Sequence, residues 1–297
     1  VAIATTDVTF RCNSAEIHGT LRHASGAGRR PLAILVHGFG SFRDELTGFV
    51  ELADRLSASG IASLRFDARG CGQSGTRGHT HPAWDWIEDI AAAASFAETL
   101  PGIAADRMGI VGMSMGGGTA VIAAALDSRL KAIVALAPVT DGEAWFRHLW
   151  TNSKGAEGWA SFQAQIAEDR RCRALTGGAQ MVDVLDAMAY ADADRHAFLE
   201  IAKTYPAFLH QISLSSIDSA MRIRAVPMAS LIAPRPLLII HSRADGSVPV
   251  EQAQALAAAS GEPSRLLLLD HSPHCFWIGE DSARVQDETQ AWLERHL

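Results

Sequence analysis

The sequence is short of cysteine, has no basic surplus and holds no apolar run long enough to cross a bilayer. Each shortage removes a class of function. The four cysteines (Cys12, Cys71, Cys172 and Cys275) lie far apart and lack metal-ligand spacing. Their default reading is as cytosolic thiols, with disulfides open only if a leader has been removed. Lys and Arg number 26 against 33 Asp and Glu, a net charge of −7, and no basic stripe interrupts that balance. Nucleic acid is therefore not an expected partner. The densest basic cluster, "DRRCR" at 169–173, reads as a solvated helix face. The longest apolar stretches, such as "AIVALAPV" at 132–139, have strand length, so no membrane span is expected. No charged start leads into an apolar block, so no signal peptide is expected. The expected location is the cytoplasm, with secretion left open because the numbering begins at Val1. No internal repeat and no low-complexity tract is present.

What is there suits a large globular core. Apolar residues make up 48% and charged residues 20% of 297. Length alone allows one large domain or two smaller ones. Residues 5–23 alternate roughly, with a turn signal at Asn13-Ser14, and predict an opening hairpin. Apolar strands are expected at 31–38, 61–67, 108–112, 131–138, 235–245 and 265–270. Between them, helical spacing is expected at 46–60, ending on Gly60, then at 84–100, after Ser114, at 250–260 and at 281–297. From about 141 to 230 strand signals nearly vanish, and breaks fall at Gly155, Gly158, Gly177-Gly178 and Pro206. That segment is far longer than an ordinary loop and reads as a helical insertion. The expected class is α/β: a mostly parallel central sheet with helices on both faces, residues 1–140 and 231–297, plus a helical cap, residues 141–230. In such sheets ligands bind beyond the carboxyl ends of the strands, so residues just after each strand carry most weight.

One such end is "GIVGMSMGGGTA", Gly109 to Ala120. Gly112-Met113-Ser114-Met115-Gly116 fits G-x-S-x-G between a strand and a helix. The glycines let neighbouring backbone pass without a Cβ clash, and the helix start aims N–H groups at any developing anion. A serine hydroxyl needs a base, and the base needs an orienting carboxylate. "IIHSRADGSVP" supplies Asp245 after the next-to-last strand. "RLLLLD" is followed by "HSPHCFW", with His271 and His274. The order Ser, Asp, His, each at the end of its own strand, is hard to reach by chance.

On these residues the chain resembles the α/β-hydrolase superfamily over nearly its full length. "LVHGFG" (35–40) is similar to the family's His-Gly oxyanion segment. "RFDARGCGQSG" (65–75) is similar to its D-x-R-G-x-G-x-S turn. "HSRADGSVP" and "DHSPHCF" are similar to its acid and histidine loops. Among subgroups it most resembles small serine esterases with a helical cap, feruloyl-esterase-like enzymes included. The resemblance implies Ser114 as nucleophile, Asp245 as acid and His274 as base. It also implies the amides of Phe39 and Met115 as oxyanion donors. His274 is preferred to His271 because Phe276 follows closely and the loop needs length to reach back. Asp67, Arg69 and Ser74 are expected to hold a turn, and His37 to brace the oxyanion loop. His79 and His81 have no metal partner at suitable spacing, Asp270 is a weaker acid candidate than Asp245, and Cys275 is expected to be a spectator thiol.

The implied activity is that of a serine esterase: cleavage of a small-molecule carboxylic ester through an acyl-enzyme, with no cofactor and no metal. Acyl transfer, or hydrolysis of an amide, thioester or lactone, would use the same residues. A non-catalytic ligand-binding protein of this fold is the reading that an intact nucleophile, acid and base argue against. Trp145, Trp150, Trp159 and Phe276, with Phe146 and Phe162, either line an acyl or alcohol pocket or, for those in the insertion, pack the cap itself. The sequence leaves a homo-oligomer open.

Overall fold

A computed structural model describes residues 3–26, 28–75, 82–190, 192–208 and 211–297, leaving aside the side chains of 192–194 and 197. His79 and His81 lie outside the described residues.

The chain opens with the antiparallel hairpin β1 (Ile3–Cys12) and β2 (Ala15–Ala24), turned at Asn13, whose φ of 52° is left-handed. Then follow β3 (Arg30–Val36), α1 (Gly48–Ala58), β4 (Ala62–Phe66), α2 (Ala83–Glu98), β5 (Ile103–Met113), α3 (Met115–Leu126) and β6 (Leu130–Leu136). A mostly helical stretch comes next: α4 (Gly142–Thr176), β7 (Met181–Asp183), α5 (Val184–Met188), α6 (Asp192–Thr204), β8 (Gln211–Ser213), α7 (Leu214–Ala220) and a 3-10 turn at Val226–Leu231. The chain closes with β9 (Leu237–Ser242), α8 (Val250–Ala259), β10 (Ser264–Leu269) and α9 (Ser282–His296).

Eight strands form one sheet in the order β1-β2-β4-β3-β5-β6-β9-β10. The β1–β2 and β2–β4 pairs are antiparallel; all the others are parallel. The parallel strands are mostly apolar because both faces are covered, with Ser63, Arg65, His241 and Ser242 buried among them. Alternate residues divide between two cores. Leu32, Ile34 and Val36 join the core under α2 and α3, while Ala33 and Leu35 join the one under α1 and α9. On β9, Leu237 and Ile239 face the first core, and Leu238 and Ile240 the second. The flanking helices bury matching stripes: Phe49, Leu52 and Leu56 on α1, and Trp86, Ile90, Ala93 and Ala97 on α2. These spacings of three, four and seven are what a one-sided helix requires.

Two sequence expectations change. The helix predicted from residue 46 begins at Gly48, because Glu45, Leu46 and Thr47 carry φ of 44°, 54° and 77°. The 141–230 segment is not purely helical: β7 and β8 pair antiparallel from Met181↔Ser213 to Asp183↔Gln211. Three-residue strands are too short to show an alternation in sequence. Of the expected breaks, Gly155 (φ 71°, ψ −177°) interrupts α4 and Gly177 (φ 76°) ends it, whereas Gly158 stays within the helix. The segment leaves and re-enters at one place. Asp141 bridges Arg224, Gly142 N donates to Ile223 O, and Ala225 N donates to Thr140 O. No helix among the described residues is long and apolar enough to cross a membrane.

Candidate active site

Ser114 occupies the tight corner between β5 and α3. Its φ of 56° and ψ of −119° lie outside the comfortable regions for an L-residue. Such a conformation costs on the order of 1–3 kcal/mol and persists only where surroundings impose it. Here they do: Ser114 N donates to Leu136 O at 2.8 Å, and Ser114 O accepts from Val139 N at 3.0 Å. The corner closes only because its neighbours lack side chains. A Cβ on Gly112 would lie 2.1 Å from Gly116 O, and one on Gly116 would lie 2.3 Å from both Val36 O and His37 O. Glycine at both positions lets α3 pack back on β5 and β3, with the hydroxyl raised at the carboxyl edge of the sheet.

The loop after β10 brings His274 to that hydroxyl. His274 Nε2 lies 2.9 Å from Ser114 Oγ, and Nδ1 lies 2.7 Å from Asp245 Oδ2. With Nδ1–H donating to the carboxylate, Nε2 is left to accept from the serine. Asp245 sits after β9 with its side chain fully buried, and its Oδ1 accepts from Ser247 N and Val248 N, each at 2.9 Å. Burial alone would raise its pKa. The adjoining His274, the bond to it, His241 and the Val248 amide together outweigh burial and hold the carboxyl below its ordinary value. His241, buried on β9, places Nε2 3.9 Å from the same carboxylate oxygen. Burial pushes the pKa of His241 down, against the pull of Asp245 and the Ser242 backbone.

The alternatives lie elsewhere. His271 is exposed, and Asp270 pairs with Arg243 at 3.3 Å on the surface. His37 is buried: its Nδ1 donates to Gly38 O at 2.8 Å and its Nε2 accepts from Ala68 N at 3.0 Å. Asp67 accepts from Arg43 N and Gln73 N, Ser74 Oγ accepts from His18 N, and Arg69 forks onto Asp89. These residues hold turns behind the site. Cys275 lines the hollow beside His274.

Phe39 follows Gly38 on that hollow, and Met115, the first residue of α3, directly follows Ser114. The hollow is small, about 30 Å³ of space open to water. That holds about two water molecules. Its walls include Phe39, Leu46, Trp145, Tyr190, Phe198 and Phe208. Trp145 thus shares the hollow with Ser114, edge-on to Phe39 at 5.9 Å between ring centroids. The other five aromatics expected as pocket candidates, Phe146 and Phe162 among them, do not line it. Trp150 stacks on Phe162 at 4.2 Å and donates Nε1–H to Ala187 O. Trp159 packs against the same Phe162 at 6.2 Å. Phe276 is fully buried in the core under α1 and α9. Each fills a packing position that its residue type alone could not distinguish from a pocket wall. A roomier hollow of about 340 Å³, lined by Trp150, Phe162 and Leu214, carries no nucleophile or base. Among the described residues no group of three or more His, Cys, Asp or Glu is arranged to hold a metal ion.

Glu45 is a further residue of the site that no sequence motif marks. Its carboxyl is buried on the same hollow, and its Oε2 accepts from Gly38 N at 2.7 Å. An acidic residue just before an apolar helix looks like an ordinary helix start, and nothing local sets it apart.

Comparison with known proteins yields one family match: serine aminopeptidase, S33, over residues 28–281. An uncharacterized 31.7 kDa protein of the traX-finO intergenic region of Escherichia coli is 30% identical over 94% of this chain and 95% of its own. The quorum-quenching protein AidA of Acinetobacter baumannii is 36% identical over 46% of this chain and 44% of its own. The crystal structure of the α/β hydrolase GrgF from Penicillium superposes with a TM-score of 0.79 at 20% identity, covering 100% of this chain and 99% of that one. In sequence that Penicillium protein, a polyketide transferase, is 23% identical over 91% of this chain and 89% of its own.

Proposed function

The chain belongs to the serine aminopeptidase S33 family of α/β hydrolases, and from that premise we propose that it is a serine hydrolase cleaving carboxylic esters through an acyl-enzyme. The observation that carries this reading is the unbroken chain from Ser114 Oγ to His274 Nε2 (2.9 Å) and from His274 Nδ1 to Asp245 Oδ2 (2.7 Å). His274 takes the hydroxyl proton as Ser114 Oγ bonds to the acyl carbon, and the carbonyl electron pair moves onto its oxygen. The amides of Phe39 and Met115 donate to that oxyanion; losing one such donor costs about 3–4 kcal/mol of transition-state stabilisation. Asp245 holds the imidazole in place and favours the imidazolium. Collapse expels the alkoxide, which takes the proton from His274. Water then gives its proton to His274 and attacks the acyl-enzyme, freeing the acid and restoring Ser114. None of these steps calls for a metal or an organic cofactor.

A second reading is acyl transfer to an alcohol or amine in place of water. The Penicillium relative, 23% identical, is named a polyketide transferase, and aromatic walls around Ser114 would help to keep water out. The test of the first reading is turnover of p-nitrophenyl esters of graded acyl length by wild type and Ser114→Ala. Turnover that depends on Ser114 is the expected result, and equal rates in the two proteins would refute it. Adding an alcohol and weighing the products separates hydrolysis from transfer.

A further inference from the structure

Glu45 is a carboxyl group in an expensive place. It is 5% exposed, and among the described residues no lysine or arginine pairs with it. It does not sit there by helical default. Glu45, Leu46 and Thr47 form three successive left-handed residues, none of them glycine, ahead of α1. Within that turn Glu45 N donates to Phe42 O and Gly48 N donates to Glu45 O. Strain of this kind is kept only where surroundings over-determine it. Its effect is to deliver the carboxyl beneath the oxyanion segment, where Oε2 accepts from Gly38 N at 2.7 Å. Glu45 and Ser114 line the same hollow and both border Gly38. A point one bond from Gly38 Cα lies 3.4 Å from Ser114 Cβ and 3.5 Å from Glu45 Oε1.

We propose that Glu45 is a positioning residue for the acyl-transfer site, holding the Gly38–Phe39 backbone against Ser114 and determining, by its own protonation, whether a neutral or an anionic group borders the oxyanion. This rests on the serine-hydrolase reading above. Burial pushes the Glu45 carboxyl up to about 7, against the pull of the Gly38 amide, Ser41 and His274. Other titratable groups face it too. His274 and Cys275 come from the loop after β10, Tyr190 from the link between α5 and α6, and Cys71 from the loop after β4. Cys71 is itself pushed well up, by burial first, and stays a neutral thiol, whereas His274, with the Gly38 amide and Ser41, favours ionised Glu45. Below about pH 7 a neutral acid lies beside the developing oxyanion; above it, an anion does, and like charge opposes the transition state.

The test compares wild type, Glu45→Gln and Glu45→Ala by kcat and KM on one p-nitrophenyl ester from pH 5.5 to 9. Fluorophosphonate labelling of Ser114 is run alongside. Gln keeps an acceptor for Gly38 N and does not titrate. At pH 6 it is expected to hold kcat within about threefold of wild type, while lacking the alkaline decline of kcat expected of wild type near pH 7. Ala releases the Gly38 amide and is expected to lower kcat about tenfold or more with KM within about twofold, a loss confined to the transition state. Stability gives a second readout. A carboxyl at about 4.3 in the unfolded chain and about 7 in the fold makes wild type lose stability as pH rises between those values. The Tm of Glu45→Gln should therefore fall less than that of wild type between pH 5 and 8. This readout still serves if Glu45→Ala fails to fold. Superimposable pH profiles for wild type and Glu45→Gln, or parallel Tm curves, would overturn this inference alone. A folded wild type with neither turnover nor a label on Ser114 would overturn the hydrolase reading and this inference with it.

Discussion

Ser114 Oγ and His274 Nε2 lie 2.9 Å apart although 160 positions separate them in the chain. Two strand ends make that meeting. Ser114 tops β5 and His274 follows β10, with β6 and β9 between them in the sheet. The loop after β10 therefore has to span back across two strands. His271, three residues earlier, remains at the surface.

The two histidines should consequently separate in activity. His274→Ala is expected to lower kcat by about 10⁴-fold or more, as removal of a base from a unit of this kind does. His271→Ala should stay within about threefold, since its exposed ring lies outside the hydrogen-bond chain from Ser114 through His274 to Asp245. Steady-state rates on one ester for both variants decide the assignment. The reverse pattern would move the base to His271.

Gly116 should tolerate no side chain. The nearest atoms to a Cβ there are carbonyl oxygens of Val36 and His37 at 2.3 Å, and backbone cannot swing aside as a side-chain tip can. Gly116→Ala is expected to cost at least about 3 kcal/mol of folding stability. Gly178→Ala, whose Cβ would meet only Thr176 Oγ1 at 3.6 Å, should stay within about 0.5 kcal/mol. Urea denaturation midpoints of the two variants are the measurement, and equal midpoints would refute the crowding argument.

Much of this was legible in the sequence because its causes are local. Continuous apolar runs such as "PLAILV" and "LLIIHS" announced strands covered on both faces, and Gly112 and Gly116 announced a corner too tight for Cβ atoms. The aromatics were not legible in the same way. Trp145 and Trp159 lie on the same kinked helix and are equally large and apolar, but one faces Phe39 and the other Phe162. Which face of α4 meets the sheet depends on long-range packing that helical spacing does not encode. Glu45 was hidden because its left-handed turn runs through residues ordinarily compatible with a helix.

That difference predicts a difference in specificity. Trp145 makes no hydrogen bond through its indole N–H among the described residues, so Trp145→Phe removes volume without orphaning a partner. It should shift the kcat/KM ratio of long to short acyl esters upward by about tenfold. Trp159→Phe should leave that ratio within about twofold. An ester panel read on both variants checks this, and identical ratios would remove Trp145 from the acyl wall.

The central claim is that Ser114 is a nucleophile activated by His274. Its most direct test is mass spectrometry after treatment with a fluorophosphonate, which needs an activated serine and no knowledge of the natural substrate. The account predicts one adduct per chain on the peptide holding Ser114, absent in Ser114→Ala and strongly slowed in His274→Ala. A folded wild-type protein whose Ser114 stays unmodified, or an adduct found on another residue, would contradict it.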